Sequence, residues 1–296
     1  MIKLFCDMGA DIPKNLIEKY DITVFTMAIS DGDNEYILGE NIDRLKVFKE
    51  MKEGVVFNTS QVTYKDYYDK FKQEVSKGNE VLYISLSSGI TGTYNTAIMA
   101  KNAVLEEMDA RIELIDSFNA VFGYGSMVIK SAKMIRENKS LDEILKLLNF
   151  LKKHIRYAFT VEDLKYLYRG GRLSKTKYFL GNLLNVCPIL DVSKEDGTLR
   201  VVDRIRGKKN LNKKLFENVK SHIADIDVLK KQTLFVFHGD CENKALELKE
   251  FLQNELDVDD VKIYTVDAVI GCHTGPDIFA VCYLDELYGK YDKFEA

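Results

Sequence analysis

Four polar segments interrupt an otherwise apolar chain, and each carries side chains able to hold an anion. In the first, Asn58, Thr59, Ser60, Gln61 and Thr63 set hydroxyl and amide groups just ahead of a stretch that reads as helix from Tyr64. Taken alone, Thr63 reads as an N-cap accepting from the first helical turn. The second runs Ser85-Leu86-Ser87-Ser88-Gly89-Ile90-Thr91-Gly92-Thr93, from an apolar run into a helix. Its glycines allow close backbone approach, and its hydroxyls and free helix N–H groups suit a carboxylate or phosphate. A plain strand-to-helix turn is an equally good reading of it alone. No Gly-Lys-Ser/Thr follows and no G-x-S-x-G spacing surrounds the serines, which excludes a Walker-type loop and a nucleophile elbow. The third, Tyr168-Arg169-Gly170-Gly171-Arg172-Leu173-Ser174, ends a helix at paired glycines and can offer Arg172 to an anion in fork geometry. The fourth, Gly271-Cys272-His273-Thr274-Gly275-Pro276, holds one of only 4 histidines. Taken alone, arginines beside a glycine cap read as solvated, and a lone histidine reads as a hydrogen-bonded structural group.

Other chemistries find less support. Asp7, Asp11 and Asp116 end strands or begin turns, where a metal-dependent phosphotransferase keeps carboxylates. No lysine or nucleophile accompanies them in a recognisable pattern. The 5 cysteines are odd in number and no pair has CxxC spacing, so neither a zinc site nor a disulfide framework is indicated. A net charge of -4 gives no electrostatic reason to expect nucleic acid, and Arg206, Lys208 and Lys209 form a local basic spot, not a stripe. No apolar run approaches the ~20 residues of a membrane span. The start reads as strand and turn, not as a signal peptide. A cytoplasmic location with reduced thiols is the expectation.

The elements that must position these segments are legible from periodicity. Residues 2–6, 80–86 and 111–115 read as strands, alternating with helices from Pro13, over 93–105, over 121–137 and from 141. In the 93–105 helix, Tyr94, Ala97, Ile98, Val104 and Leu105 form the expected buried stripe. Leu141, Ile144, Leu145, Leu148 and Leu151 recur at helical spacing. Asp31-Gly32-Asp33 reads as a hairpin turn between 26–30 and 35–38. This alternation predicts a largely parallel, helix-covered sheet, hence an α/β three-layer N-terminal domain. In the second half, 188–193 and 198–206 flank the turn Glu195-Asp196-Gly197, which implies antiparallel pairing. Three further strands follow at 233–238, 262–266 and 278–284. The expected division is an α/β domain over 1–152 and an α+β domain with a mixed or antiparallel sheet over 153–296.

In order and spacing, the polar segments resemble the signatures of the DegV family. The family's T-S-Q-P segment is similar to Thr59-Ser60-Gln61-Val62, and its S-S-x-L-S-G-T-Y segment to 87–94. Y-L-x-x-G-G-R-[IL]-S resembles 166–174, K-P-I-L resembles Cys187-Pro188-Ile189-Leu190, V-R-x-x-K-K resembles 205–209, and H-T-G-P matches His273-Thr274-Gly275-Pro276. Val62 stands for a usual proline, Thr91 for a common serine, Met8-Gly9 for Ser-Thr and Cys272 for a frequent threonine.

The resemblance implies a non-enzymatic carrier that binds a long-chain fatty acid and presents it to a separate fatty-acid kinase, which makes an acyl-phosphate for phospholipid metabolism. A lipid-sensing regulator is the alternative, and a metal-dependent phosphotransferase a weaker one. It implies no cofactor and no metal, only the acid as ligand. Carried onto this chain, Thr59, Ser60, Ser87, Ser88 and Thr91 surround the carboxylate with His273 beside it, and Arg172 and Arg206 face the kinase and the transferred phosphate. The tail is expected within residues 1–152. A dry channel with a small polar mouth is what such an amphiphile requires.

Overall fold

The computed structural model describes residues 1–174, 186–207 and 209–294; Lys208 of the basic spot lies outside them. The N-terminal sheet has four parallel strands, β1 (Ile2–Asp7), β2 (Thr23–Phe25), β6 (Glu80–Ser85) and β7 (Ile112–Asp116), in the order β2-β1-β6-β7. Period-2 alternation divides its side chains. Leu4, Cys6, Leu82 and Ile84 join one apolar cluster with the helices Val121–Arg136 and Leu141–His154. Phe5, Val81 and Tyr83 join another with the helices Arg44–Lys52, Tyr64–Val75 and Thr93–Glu107. Three layers result, as the alternation predicts. A small antiparallel sheet, β4 (Glu35–Tyr36), β3 (Ile29–Ser30) and β5 (Asn58–Thr59), stands beside them.

The second sheet is mixed, in the order β10-β9-β8-β13-β11-β12. Its strands are β8 (Ile155–Thr160), β9 (Val186–Val192), β10 (Leu199–Arg206), β11 (Leu234–His238), β12 (Val261–Thr265) and β13 (Phe279–Leu284). Only β11 and β12 pair in parallel. Tyr157, Phe159, Phe237 and Ala280 face inward and join the cluster of helix Val121–Arg136. Ala158, Phe279 and Val281 face outward under the helices Leu211–Lys220 and Glu242–Leu256. Helix Val121–Arg136 thus lies between two sheets, which is why it is buried on nearly every face.

Two local readings need correction. β8 has no turn signal before it: helix Leu141–His154 passes directly into Ile155, so its start is hidden behind a helical pattern. In helix Thr93–Glu107 the buried stripe is Thr93, Ala97, Ala100 and Val104, whereas Leu105 is 37% exposed. The true stripe is rotated toward small residues because helix Tyr64–Val75 packs closely there. No helix among the described residues is long and apolar enough to cross a membrane.

Candidate functional site

The four polar segments meet in a closed ring at the junction of the two sheets. Thr59 Oγ1 lies 2.8 Å from His273 Nε2, joining the first to the fourth across 214 positions. Gly170 abuts the imidazole so closely that an added Cβ would lie 2.2 Å from His273 Nδ1, which joins the fourth to the third. Arg172 Nε donates to the Ile90 carbonyl at 3.1 Å, joining the third to the second. Its Nη1 also donates to the Gly170 carbonyl. A Cβ on Gly92 would meet Gln61 Oε1 at 2.6 Å, which returns the ring to the first segment.

Local structure aims each group. Thr59 sits on β5, in register with Ile29. His273 occupies the last turn of helix Ala268–Thr274, whose start is capped by the Asp267 carboxylate accepting from Ala268 N–H at 2.7 Å. That helix presses on Phe48, so close that a Cβ on Gly271 would lie 2.2 Å from the ring. Gly275, at φ 84, then turns the chain away, and the Tyr166 ring covers its Cα. Only glycine tolerates both demands there.

Burial first, and the Arg172 charge second, lower the His273 pKa to about 4. The imidazole is therefore neutral near pH 7, and its buried Nδ1 has no hydrogen-bond partner among the described residues. Burial likewise lowers the Arg172 pKa from its ordinary value. Arg172 is half-buried and turned into the junction instead of outward.

The other candidates separate. Ser88 donates its N–H to Asp116 at 3.1 Å and keeps its hydroxyl uncommitted among the described residues. Thr91 Oγ1 pairs with Thr93 Oγ1 at 2.9 Å, a cap-like contact at the helix start. Ser87 is fully buried and donates to the Gly197 carbonyl at 2.8 Å, so its hydroxyl joins the two halves. Ser60 is exposed and bonded to Ala28. Arg206 is exposed at the end of β10 and makes none of the ring contacts.

The three aspartates do not assemble. Asp7 accepts from Gly9 N–H, Leu86 N–H and Tyr83 Oη at 3.0, 3.0 and 2.9 Å. Asp116 accepts from Ser88 and Phe118 N–H. Both carboxylate oxygens of Asp11 are buried with no well-formed hydrogen bond among the described residues, and burial and then the Asp267 charge push its pKa well up. Among the described residues no three His, Cys, Asp or Glu converge as a metal site.

Behind the ring lies a slender apolar cavity of about 60 Å³. Ile90, Arg172 and His273 belong to both ring and wall, so the cavity opens on the ring. The tail is expected within residues 1–152, whereas most of this wall comes from the second half of the chain, the inner face of its sheet contributing Phe159, Leu199 and Ala280 among others. Ile90, Ala120 and Val121 supply the first half's share. Small side chains, Ala120 from one half and Ala280 from the other, leave the gap. Sequence reading missed these wall residues; the alternation in β8 was the available signal.

Comparison with known proteins agrees with this architecture. A family model described as "Uncharacterised protein, DegV family" matches residues 1–286. A DegV domain-containing protein of Clostridium perfringens is 33% identical over 288 residues, covering 96% of this chain and 97% of its own. Among solved structures, a stearic-acid-binding protein of Eubacterium ventriosum superposes with a TM-score of 0.85 at 26% identity, covering 95% and 98% of the two chains. DegV of Bacillus subtilis, described as a fatty acid binding protein, gives 0.80 at 28% identity, with the same coverage.

Proposed function

The chain belongs to the DegV family, and from that membership we propose that it binds a long-chain fatty acid and presents its carboxylate to a separate fatty-acid kinase. The observation that carries the reading is an apolar cavity whose one polar end is the ring of Thr59, His273 and Arg172. Each buried methylene contributes about 0.8 kcal/mol, so a 16-carbon tail gains roughly 11 kcal/mol before ordering costs. In this reading the wall side chains must move to admit the tail, because the cavity is narrower than an acyl chain requires. A buried carboxylate without partners would cancel much of that gain. Thr59, the free Ser88 hydroxyl and neutral His273 supply hydrogen bonds, and Arg172 supplies the compensating charge. The protein itself is a carrier in this reading and catalysis belongs to the kinase, in the cytoplasm.

Mass spectrometry of the denatured protein tests the first step: about one long-chain acid per chain is expected. Protein that carries none, and takes up none when offered oleate, ends the proposal. Thr59→Ala should weaken retention by a factor of ten or more, since a hydrogen bond to a charged group contributes about 1.5–3 kcal/mol. Ser88→Ala should act in the same direction, and Thr91→Ala only through the helix start. Unchanged occupancy in the Thr59 and Ser88 variants would place the carboxylate elsewhere.

The arginines separate binding from transfer. Arg206→Ala is expected to keep its lipid and lose kinase turnover, because an exposed guanidinium suits a partner's phosphate. Arg172→Ala is expected to lose both, since the Ile90 and Gly170 carbonyls lose their donor with it. The assay is acyl-phosphate formation by a cognate kinase with lipid-loaded variants. Wild-type turnover by Arg206→Ala would remove it from the docking surface.

A further inference from the structure

The outer face of the second sheet carries a feature the fatty-acid reading leaves unused. Along β8, Tyr157 and Phe159 face the apolar cavity while Ala158 and Thr160 face the opposite side. Thr160 is 2% exposed, and its hydroxyl has no hydrogen-bond partner among the described residues. It lines a solvent-open cleft together with Asn210, Leu211, Asn212 and Lys213, the first turn of helix Leu211–Lys220 and the residue before it.

That helix begins without a side-chain cap; Asn210 precedes it at φ 63. Its first intrahelical acceptor, the Asn210 carbonyl, serves Lys214 N–H at 3.0 Å. The N–H groups of Leu211, Asn212 and Lys213 therefore point out of the helix end with no intrahelical acceptor, and the dipole adds partial positive charge there. Two independent orphans, a buried hydroxyl and an open helix end, thus share one cleft.

The local charge has a matching sign. Residues 204–214 contain Arg204, Arg206, Lys208, Lys209, Lys213 and Lys214 and no acid. Lys213 forms no ion pair among the described residues. Lys244, at the rim, is already matched by Glu162, which also lines the cleft, at 2.6 Å and by Asp277 at 3.7 Å, so the attraction rests on the open helix end with Lys213 beside it. Glu247 also lines the cleft; it and Lys213 are both exposed to solvent, where their charges are screened alike.

We propose that this cleft binds the phosphate group of a small phosphate monoester, held by the N–H groups of Leu211–Lys213, the Thr160 hydroxyl and the Lys213 ammonium. The donors exceed what the two oxygens of a carboxylate can use and match the three free oxygens of a phosphate monoester. Phe251 and Phe279 complete the wall, so the ester's remaining body meets an apolar surface. The site lies on the opposite face of the sheet from the apolar cavity and does not depend on what that cavity holds.

Calorimetric titration of the full chain with inorganic phosphate, phenyl phosphate and acetate tests this. Wild-type protein should bind both phosphates saturably at one site, phenyl phosphate more tightly, and acetate at least tenfold more weakly. Thr160→Val, which keeps shape and loses the hydroxyl, should weaken phosphate binding by about tenfold. Lys213→Gln, at a solvent-facing position, should do the same without disturbing the fold, and both variants should keep wild-type fatty-acid content. Absence of saturable binding, wild-type affinity in both variants, acetate as tight as phosphate, or loss of fatty acid together with phosphate would each overturn the proposal.

Discussion

Gly89→Ala is expected to lower stability by about 1–3 kcal/mol, the usual range for an overpacked contact. It should also empty the fatty-acid site. The added Cβ would lie 2.4 Å from the Asp196 carbonyl oxygen and 2.4 Å from the Gly197 carbonyl carbon, so both obstacles are backbone. The hairpin turn that carries them has little freedom to retreat. Gly197 N–H bonds to the Ser193 carbonyl and Ser193 N–H to the Thr198 carbonyl, both at 2.9 Å. The Asp196 carboxylate accepts from Thr198 N–H at 3.1 Å and from its hydroxyl at 2.9 Å. The loop must move instead, taking with it the Ser87–Gly197 bond and the Ile90 carbonyl that holds Arg172. A fall in Tm of roughly 5 °C or more, with loss of co-purified lipid, is the expected outcome. Ser88→Ala, one residue away, is the control for folding. A Gly89→Ala variant that melts with wild type would show that the two halves are not locked at this contact.

The second expectation concerns acid. His273 has a folded pKa of about 4, below the value near 6.5 of an unfolded histidine. Between these values the unfolded chain binds a proton that the folded chain refuses, so this residue's contribution to stability is lost as pH falls from about 6.5 toward 4. The full loss is about 3 kcal/mol at most, and below pH 4 nothing further is lost through it. Asp11 and Asp267 act in the opposite sense. Burial raises their folded pKa values, so protonation on acidification relieves the folded state. The measurement is therefore a difference: denaturant midpoints of wild type and His273→Gln between pH 7.5 and 4. The wild type should lose its advantage over the variant through that window. A constant difference would mean that the imidazole titrates normally, in contact with water. Under the proposed function, a bound carboxylate favours the imidazolium and should flatten the wild-type curve.

How much of this was legible in the residues depends on how local each signal is. Asp31-Gly32-Asp33 and Glu195-Asp196-Gly197 name their hairpins because a turn is decided by two or three dihedrals. The capping box of Ser140 and Glu143 starts the helix Leu141–His154 within its own first turn. β8 was missed because nothing local separates Lys153 and His154 from Ile155; its pairing with β13, more than a hundred residues later, makes it a strand. The hydroxyls behaved likewise. Ser60, Ser87, Ser88 and Thr91 look alike in sequence, yet Ser87 is committed to Gly197, 110 positions away, and of the four Ser88 alone keeps an uncommitted hydroxyl among the described residues.

Most of the strands and helices, the family resemblance and the short polar segments from which a site could be made are legible in the residues alone. Periodicity, turn chemistry and ordered motifs are written in neighbouring residues, and neighbours suffice to read them. Only the tertiary structure decided which polar groups meet. Thr59 reaches His273 because β5 and helix Ala268–Thr274 converge at the junction, and Gly170 lets the imidazole close against the backbone. It also decided where this apolar cavity lies, between Ile90, Ala120 and Val121 of the first half and a larger share of wall from the second. A cavity is what packing leaves unfilled, and whether Ala120 and Ala280 face a side chain or a gap depends on elements far from either.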